Sequence, residues 1–328
     1  MLSLVGLVAL VGVAVLRPVL ASRLPVVCRY EGRLYFPGVV EVVRSVPFAS
    51  LVAGEGRPFS LPSFDVETAL AESSFGVRAL IPYDPMAYSS DVRARPSRQH
   101  WLGTDDLGRD VAARLVHGTA VSLKVGLGAM ALAGLIGIAL GAWAGYAGGI
   151  VDMAVSRLIE LVMCFPVFFL ILAVMVWVEE PGVNHVILVI GLTAWTPIAR
   201  LMRAEMLRLR DSELATAARA LGAGPVRVLL RHLLPNAMAP VLVTITFGVG
   251  HAILIEAALS WLGFGVPPPA PSWGVMLRSA YDQIHSAPFL VYPPCVAIFA
   301  TVLMVNWLGE AVRDVADPRG ESENLVPG

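Results

Sequence analysis

The stretch RLMRAEMLRLRDSELATAARALGAGPVRVLLRHLLPN, Arg200 to Asn236, decides the fold of this chain. It contains seven arginines, and long apolar runs precede and follow it. A short basic loop between membrane spans belongs on the cytoplasmic side of the bilayer. This polar island therefore sets the orientation of the spans around it. It is also where we expect a cytoplasmic partner to bind.

Local signals within the polar island predict two short helices. Asp211 or Ser212 can cap the first helix, with Glu213 in its first turn, where the helix dipole favours a negative charge. Gly222 is a natural C-cap, and Pro225 suits the first position of the second helix. Residues at helical spacing predict one apolar stripe on the first helix: Leu214, Ala217, Ala218 and Leu221.

Two other interpretations of the polar island stay open at this point. The loop could pack only on its own protein. It could also be a DNA-binding helix-turn-helix, but that motif needs a recognition helix free to enter the major groove. A loop tied to the bilayer at both ends supplies such a helix poorly.

The composition is that of an integral membrane protein. The chain has 328 residues, of which 56% are hydrophobic and only 15% are charged, with a net charge of −1. A soluble domain of this length has a much larger charged fraction. The near-zero net charge argues against nucleic acid as a partner.

Six apolar runs predict about six transmembrane helices, which places both termini in the cytoplasm: 1–22, 125–147, 161–178, 186–199, 237–259 and 289–309. The first run is expected to be an uncleaved span, with a cleaved signal peptide as the alternative. Pro166 should kink the third span. Gly137, Gly141 and Gly145 form a stripe of small residues that lets two helices approach closely.

Residues 23–118 predict an extracytoplasmic insertion of mixed α and β structure. Val26–Phe36 has the pattern of two strands around a turn, and Val39–Val46 could add a third. Thr104-Asp105-Asp106 is a capping signal, and an amphipathic helix should follow from Val111 toward the second span. Between the last two spans, Trp261–Pro288 is expected to be a proline-rich outer loop.

The motifs of enzymes are missing from the sequence. It has no GxxxxGK[ST] phosphate loop, no HExxH or CxxC metal pattern and no GxSxG nucleophile elbow. A catalytic role and a metal site are therefore not expected. His251 and Glu256 are the polar candidates at membrane depth, where ionisable groups line a protein interior or a water-filled path. They lie five residues apart and should not share a helix face.

The polar island, Arg200 to Asn236, resembles the EAA loop of bacterial ABC importer permeases. The resemblance is carried by Thr216-Ala217-Ala218, Gly222 and His232-Leu233-Leu234-Pro235. Other segments are similar to the peptide/nickel branch of these permeases: His100–Arg109, Ala199–Ala204, Glu256–Gly263, Pro271–Gly274 and Asn306–Pro318. Arg29–Pro37 is similar to a subgroup of microcin C-type peptide permeases.

The resemblance implies a type I ABC importer fold and one of two membrane subunits. Two cytoplasmic ATP-binding subunits would bind below, each contacting the EAA helix of one membrane subunit, and an extracytoplasmic substrate-binding protein would deliver a peptide or peptide-like solute. ATP-Mg would be bound by the partner subunits, and this chain would hold no cofactor. The coupling helix that contacts the ATPase would comprise Leu214, Thr216, Ala217, Ala218, Arg219, Leu221, Gly222 and Pro235.

Thr216 departs from the EAA pattern, because it stands where the pattern has a glutamate; a salt bridge from that position is lost. The implied organisation is a first span at 1–22, the insertion and lead-in helix at 23–118, a permease domain at 119–315 with a coupling loop at 204–235, and a cytoplasmic tail at 316–328. The alternative function is a secondary transporter or channel subunit that ATP does not drive. Such proteins have paired intramembrane carboxylates and broken helices in two repeated halves.

Overall fold

The structure is a computed structural model that describes residues 2–30, 33–45, 76–179 and 181–316. Three short strands are formed: β1 (Val27–Tyr30), β2 (Arg33–Tyr35) and β3 (Gly76–Val77). The helices, in chain order, are α1 (Leu2–Leu20), α2 (Pro37–Ser45), α3 (Val111–Ala147), α4 (Gly149–Met163), α5 (Val167–Val176), α6 (Val183–Thr193), α7 (Trp195–Leu209), α8 (Glu213–Ala220), α9 (Pro225–Leu262), α10 (Trp273–Asp282) and α11 (Tyr292–Ala316).

The chain divides into two compact units. The first contains Lys124–Pro267 and the chain from Ala300, together with the first residues of α1. The second contains Val5–Leu123 and Pro268–Phe299. These limits fall at positions other than 22, 118 and 315, so the domain boundaries expected from the sequence stay predictions.

Four described segments are long and apolar enough to cross a bilayer: α3, α6 continued by α7, α9, and Pro288–Val315, which includes most of α11. α4 and α5 meet the same criterion only as a pair, and α1 is a shorter apolar helix. The fold is thus mostly helical, with four to five membrane-spanning helices. The expected number of about six is reached only when both the bent pair and α1 are counted.

The third predicted span is broken rather than merely kinked. α4 and α5 meet at 79° across Cys164–Pro166. Pro166 stands at the N-cap of α5 and cannot donate a backbone hydrogen bond into the preceding turn. The kink expected at this proline is therefore confirmed, and it is sharper than expected.

The fourth and fifth spans are longer than their apolar runs. α6 and α7 together cover Val183–Leu209, 27 residues in place of the predicted 186–199. α9 covers 38 residues in place of 237–259. In both spans the helix continues beyond the end of the apolar run. Arginine side chains are compatible with this, because their aliphatic part can lie along the helix while the guanidinium group reaches water. The first part of the polar island is consequently a continuation of the fourth span.

A small antiparallel sheet follows α1, with strand order β2-β1-β3. β1 pairs with β2 through Cys28 opposite Tyr35, as the hairpin pattern predicts, and with β3 through Val27 opposite Val77. The prediction of a third strand at Val39–Val46 is wrong, because the described part of this segment, up to Ser45, lies in α2. Its valines also fit a helical period, and Pro37 is favourable at a helix start.

Two further expectations in the second unit are corrected. The cap of α3 is Asp110 rather than the Thr104–Asp106 signal, since its Oδ1 accepts the Ala113 N–H at 2.7 Å. The expected outer loop contains α10, which begins after Ser272. Ser272 Oγ accepts the Val275 N–H at 3.2 Å. A helix of only 10 residues that follows a run of prolines is easily taken for part of a loop.

The glycine stripe of α3 packs directly against α7. A Cβ placed on Gly141 would lie 2.4 Å from the Ala199 carbonyl oxygen, and one on Gly145 would lie 2.6 Å from that of Arg203. The opposing atoms belong to the backbone, so a change in side-chain conformation could not relieve such an overlap. The close helix approach predicted from the spacing is confirmed, and it supports α7 directly before the polar loop.

Candidate functional site

The hairpin, residues 204–235, starts in α7 and turns at a serine cap. Ser212 lies at the N-cap of α8, where its Oγ accepts the Ala215 N–H at 3.4 Å. The same hydroxyl donates to the Leu209 carbonyl at 2.6 Å, satisfying a carbonyl at the end of α7. One side chain thus joins both helices and identifies Ser212, rather than Asp211, as the cap.

The end of α8 is a Schellman motif around Gly222, whose φ is +83°. The Ala223 N–H donates to the Ala218 carbonyl at 3.0 Å, and the Gly222 N–H donates to that of Arg219 at 2.9 Å. A Cβ on Gly222 would meet nothing within 4 Å. The need for glycine is therefore conformational rather than steric, and the predicted end of the helix is confirmed.

The predicted apolar stripe of α8 is split between two faces. Ala215 and Ala218 are buried, at 0% and 7% exposure, and α8 packs on the start of α9. Leu214, Ala217 and Leu221 point away from the chain, and Leu221 is 89% exposed. Ala218 thus supports the hairpin from within, whereas the other three form its outward apolar face.

Thr216 and Arg219 are the other predicted contact residues in α8. Both are exposed, and each donates a hydrogen bond to a backbone carbonyl of the hairpin. Thr216 Oγ1 donates to the Ser212 carbonyl at 3.1 Å. Arg219 Nη2 donates to the Arg210 carbonyl at 2.8 Å, which closes α8 back onto the end of α7. Arg219 therefore helps to fix the hairpin in addition to presenting a positive charge at its edge.

The ion pair between Arg203 and Asp152 connects α7 to α4. Arg203 Nη2 donates to Asp152 Oδ2 at 2.7 Å, and Nε donates to Oδ1. A bidentate pair of this kind restricts geometry more than a single contact. This ion pair could not be predicted from the sequence, because the two residues are 51 positions apart and no local pattern joins them.

A π-helical segment, Val228–Leu233, lies inside α9 just before Pro235. Proline has no N–H for a helical hydrogen bond. Beside it, Asn236 Nδ2 donates to the His232 carbonyl at 2.6 Å. Such π segments are frequent at functional positions. Here the helix passes the exposed Pro235 without a break, and so runs from the hairpin into the fifth span.

His251 lines a cavity of about 160 Å³ in the first unit. Thr193, Thr196 and Thr244 contribute to the same wall, and the other lining side chains are mainly apolar. The hydroxyls of Thr193 and Thr244 donate to carbonyls of their own helices at 2.9 and 3.0 Å. His251 is exposed on the chain, so its imidazole is the side chain of this cavity best placed for a polar solute.

Glu256 points elsewhere, as the five-residue separation predicts. It is fully buried, and its Oε1 accepts a hydrogen bond from Ser260 Oγ at 2.7 Å. Ser260 Oγ in turn accepts the Val266 N–H at 3.3 Å. This chain of contacts ties the last turns of α9 to the segment that follows, a geometry that fits an anchor.

The family described as "Binding-protein-dependent transport system inner membrane component" matches residues 137–320. The match includes the whole hairpin and more than half of the 328 residues. The chain belongs to this family. It is therefore a multi-pass membrane component of a binding-protein-dependent transport system.

Named relatives place the chain within the peptide/nickel branch. The dipeptide transport system permease protein DppC of Alkalihalophilus pseudofirmus is 40% identical over 227 residues, 69% of this chain and 74% of that protein. The nickel transport system permease protein NikC of Escherichia coli K12 is 39% identical, covering 74% of this chain and 88% of that protein. The glutathione transport system permease protein GsiD of Pectobacterium atrosepticum is 36% identical, covering 76% and 83%.

A solved structure of the MetNI methionine ABC transporter, described as inward facing, shares the fold. The similarity covers 62% of this chain and 96% of that chain, with a TM-score of 0.51 and 19% identity. This similarity confirms the fold that the resemblance implied, and the family match and the named relatives confirm the resemblance to ABC importer permeases. The chain is a permease subunit of an ABC importer, and the alternative of a secondary transporter or channel is set aside.

Proposed function

We propose that this permease subunit carries a peptide or peptide-like solute. Relatives at 40% and 36% identity are named for dipeptide and glutathione transport. A third, at 39%, is named for nickel, so the branch also includes metal carriers. The similarity of Arg29–Pro37 to microcin C-type permeases favours a peptide and stays a prediction.

In the proposed importer, this chain acts with three other kinds of component. A second homologous permease subunit forms the other half of the pathway, two cytoplasmic subunits bind ATP-Mg, and an extracytoplasmic protein delivers the solute. Nucleic acid has no role. The chain itself needs no cofactor. Among the described residues, no three His, Cys, Asp or Glu side chains are grouped as a metal site would require.

The hairpin is the proposed contact with an ATP-binding subunit, and the exposure of Leu221 is the observation that carries this assignment. A leucine exposed at 89% beside Leu214 and Ala217 is unfavourable in water unless a partner covers it. The surrounding positive charges of Arg219, Arg227 and Arg231 would lie at the edge of such a contact. The apolar centre and charged rim match the usual anatomy of a protein interface.

The hairpin is built to transmit movement rather than to absorb it. Ser212 and Arg219 each bond the end of α7, and Gly222 closes α8 with two backbone hydrogen bonds. α7 and α9 continue from the hairpin into two spans without a flexible linker. A partner that displaces α8 would therefore move both spans, in the manner of rigid-body coupling.

The cavity beside His251 is proposed to belong to the solute pathway. It lies among the fourth and fifth spans and the bent pair, and it combines an imidazole with a mainly apolar wall. A peptide presents amide groups and side chains that such a mixed surface accommodates. Glu256, being buried within its own chain, would shape the pathway only indirectly.

The assignment of the hairpin is tested by Leu221→Asp in the complete importer. Removing the exposed apolar group and adding a negative charge should abolish co-purification of the ATP-binding subunits and lower ATP-dependent uptake at least tenfold. Val92→Asp is the matched control, because Val92 is also an exposed apolar residue but lies outside the hairpin. It should leave both measurements unchanged. Normal co-purification with Leu221→Asp would contradict the assignment.

A further inference from the structure

The second unit contains a charged cavity beside the end of α1, and none of its lining residues has a role in the function proposed above. Its volume is about 440 Å³. Its charged and titratable lining residues are Arg17, Arg23, Glu41, Asp84 and His117. We propose that this cavity binds the headgroup of an amine-bearing zwitterionic phospholipid, of the phosphatidylethanolamine type, whose acyl chains lie along α1.

The lining charges match both ends of such a headgroup. Arg17 and Arg23 supply guanidinium donors for a phosphate, which they recognise with directed hydrogen bonds. Glu41 and Asp84 supply carboxylates on the same cavity, where an ammonium group can donate N–H bonds. A purely anionic lipid would meet these carboxylates unfavourably, and a quaternary ammonium group has no N–H to donate to them.

The surface of α1 explains why the ligand is a lipid rather than a soluble zwitterion. Val5, Val8, Val11, Val15 and Leu16 are exposed along this helix at helical spacing. The stripe ends next to Arg17, the first charged residue of the chain and a lining residue of the cavity. Acyl chains that cover the stripe would therefore bring their headgroup to the cavity, at the depth where arginine side chains reach the bilayer surface.

The cavity walls are held by contacts that exist without any ligand. The Ile81 N–H donates to the Leu20 carbonyl at 2.8 Å, and the Ser22 N–H donates to the Ile81 carbonyl at 3.1 Å. His117 Nε2 donates to the Ala21 carbonyl at 2.8 Å, which joins α3 to the end of α1. Asp84 Oδ1 accepts the Met86 N–H at 2.7 Å, which orients its carboxylate. A preformed site of this kind binds with less loss of conformational freedom.

Native mass spectrometry of the purified full chain in detergent tests the proposal, with phosphatidylethanolamine, phosphatidylcholine or phosphatidylglycerol added at equal concentration. The wild type should retain one phosphatidylethanolamine in preference to the other two. Arg17→Gln with Arg23→Gln should reduce retention of all three lipids about tenfold or more, because each arginine near a lipid surface contributes to headgroup binding. Asp84→Asn should remove only the preference for phosphatidylethanolamine over phosphatidylcholine.

Controls separate loss of the site from loss of the fold. Arg17→Lys with Arg23→Lys keeps the charge and should retain more lipid than the glutamine pair. Arg95→Gln with Arg98→Gln removes two exposed arginines outside the cavity lining and should behave as wild type. Equal retention by the glutamine pair and the wild type would overturn the proposal. Displacement of the lipid by millimolar dialanine, a soluble zwitterion, would overturn it in favour of a solute site.

Discussion

At the residue scale, adjacent alanines in α8 have different surroundings. Ala218 is buried at 7% exposure, whereas Ala217 is exposed. The helical spacing groups both residues into one stripe, and only the packing of α8 on α9 separates them. The outward positions Leu214, Ala217 and Leu221 are therefore the better candidates for contact with a partner, and Ala218 is a support of the hairpin.

Gly222→Val should uncouple the hairpin at a single residue. Valine strongly disfavours the left-handed conformation at φ +83°, at a cost of about 1–3 kcal/mol. We expect ATP-dependent uptake to fall several-fold in reconstituted vesicles. Gly222→Asn is the control, since asparagine tolerates this conformation and no neighbouring atom opposes a side chain. Equal loss in both variants would show that conformation is not the reason for glycine here.

At the scale of elements, the position of α7 depends on two independent contacts. The glycine stripe of α3 meets its backbone, and Asp152 of α4 binds Arg203. Both contacts lie just before the hairpin, so they hold the helix that leads into it. In the proposed mechanism, these contacts would let α7 pass on a movement of α8 as one rigid helix.

Gly141→Leu should destabilise the packing of α3 on α7. The added side chain would start 2.4 Å from the Ala199 carbonyl oxygen, so the two backbones must separate. Overpacking of this kind costs about 1–3 kcal/mol. The melting temperature of the detergent-solubilised protein should fall measurably. Gly12→Leu, at a helical glycine with nothing within 4 Å of an added Cβ, should leave it close to wild type. Identical melting of both variants would refute the role of the stripe.

At the scale of the whole molecule, the distribution of arginine predicts the orientation of the chain in the membrane. The hairpin contains a dense group of arginines between two long membrane-spanning segments, and such loops face the cytoplasm. Both termini are expected on that same side. The insertion between the first two spans, residues 23–118, is expected on the opposite side, because long segments translocate largely regardless of their charge.

Cysteine labelling in spheroplasts tests this orientation. Cys28, Cys164 and Cys295 are first replaced by serine, and Leu221→Cys or Val92→Cys is introduced. A membrane-impermeant maleimide should label Val92→Cys in intact spheroplasts. It should label Leu221→Cys only after permeabilisation, because the bilayer shields the hairpin. Labelling of Leu221→Cys from outside would reverse the orientation and remove the proposed contact with the ATP-binding subunits.

The sequence alone determined those features that depend on neighbouring residues. Ser212, Gly222 and Pro225 mark helix ends through their own backbone preferences. Pro166 interrupts a span for the same local reason. Long apolar runs, the arginine-rich loop and the EAA resemblance were sufficient to predict a membrane permease, since the bilayer imposes its constraints on composition directly.

Only the tertiary structure decided which surfaces meet. The burial of Ala218, the Arg203–Asp152 ion pair and the cavity beside His251 depend on the packing of separate helices against one another. The same is true of α2 and α10, which are so short that their sequence patterns alone do not distinguish a helix from a strand or a loop. Periodicity specifies that a helix has a face, but the energy of packing against a neighbour selects which face is buried.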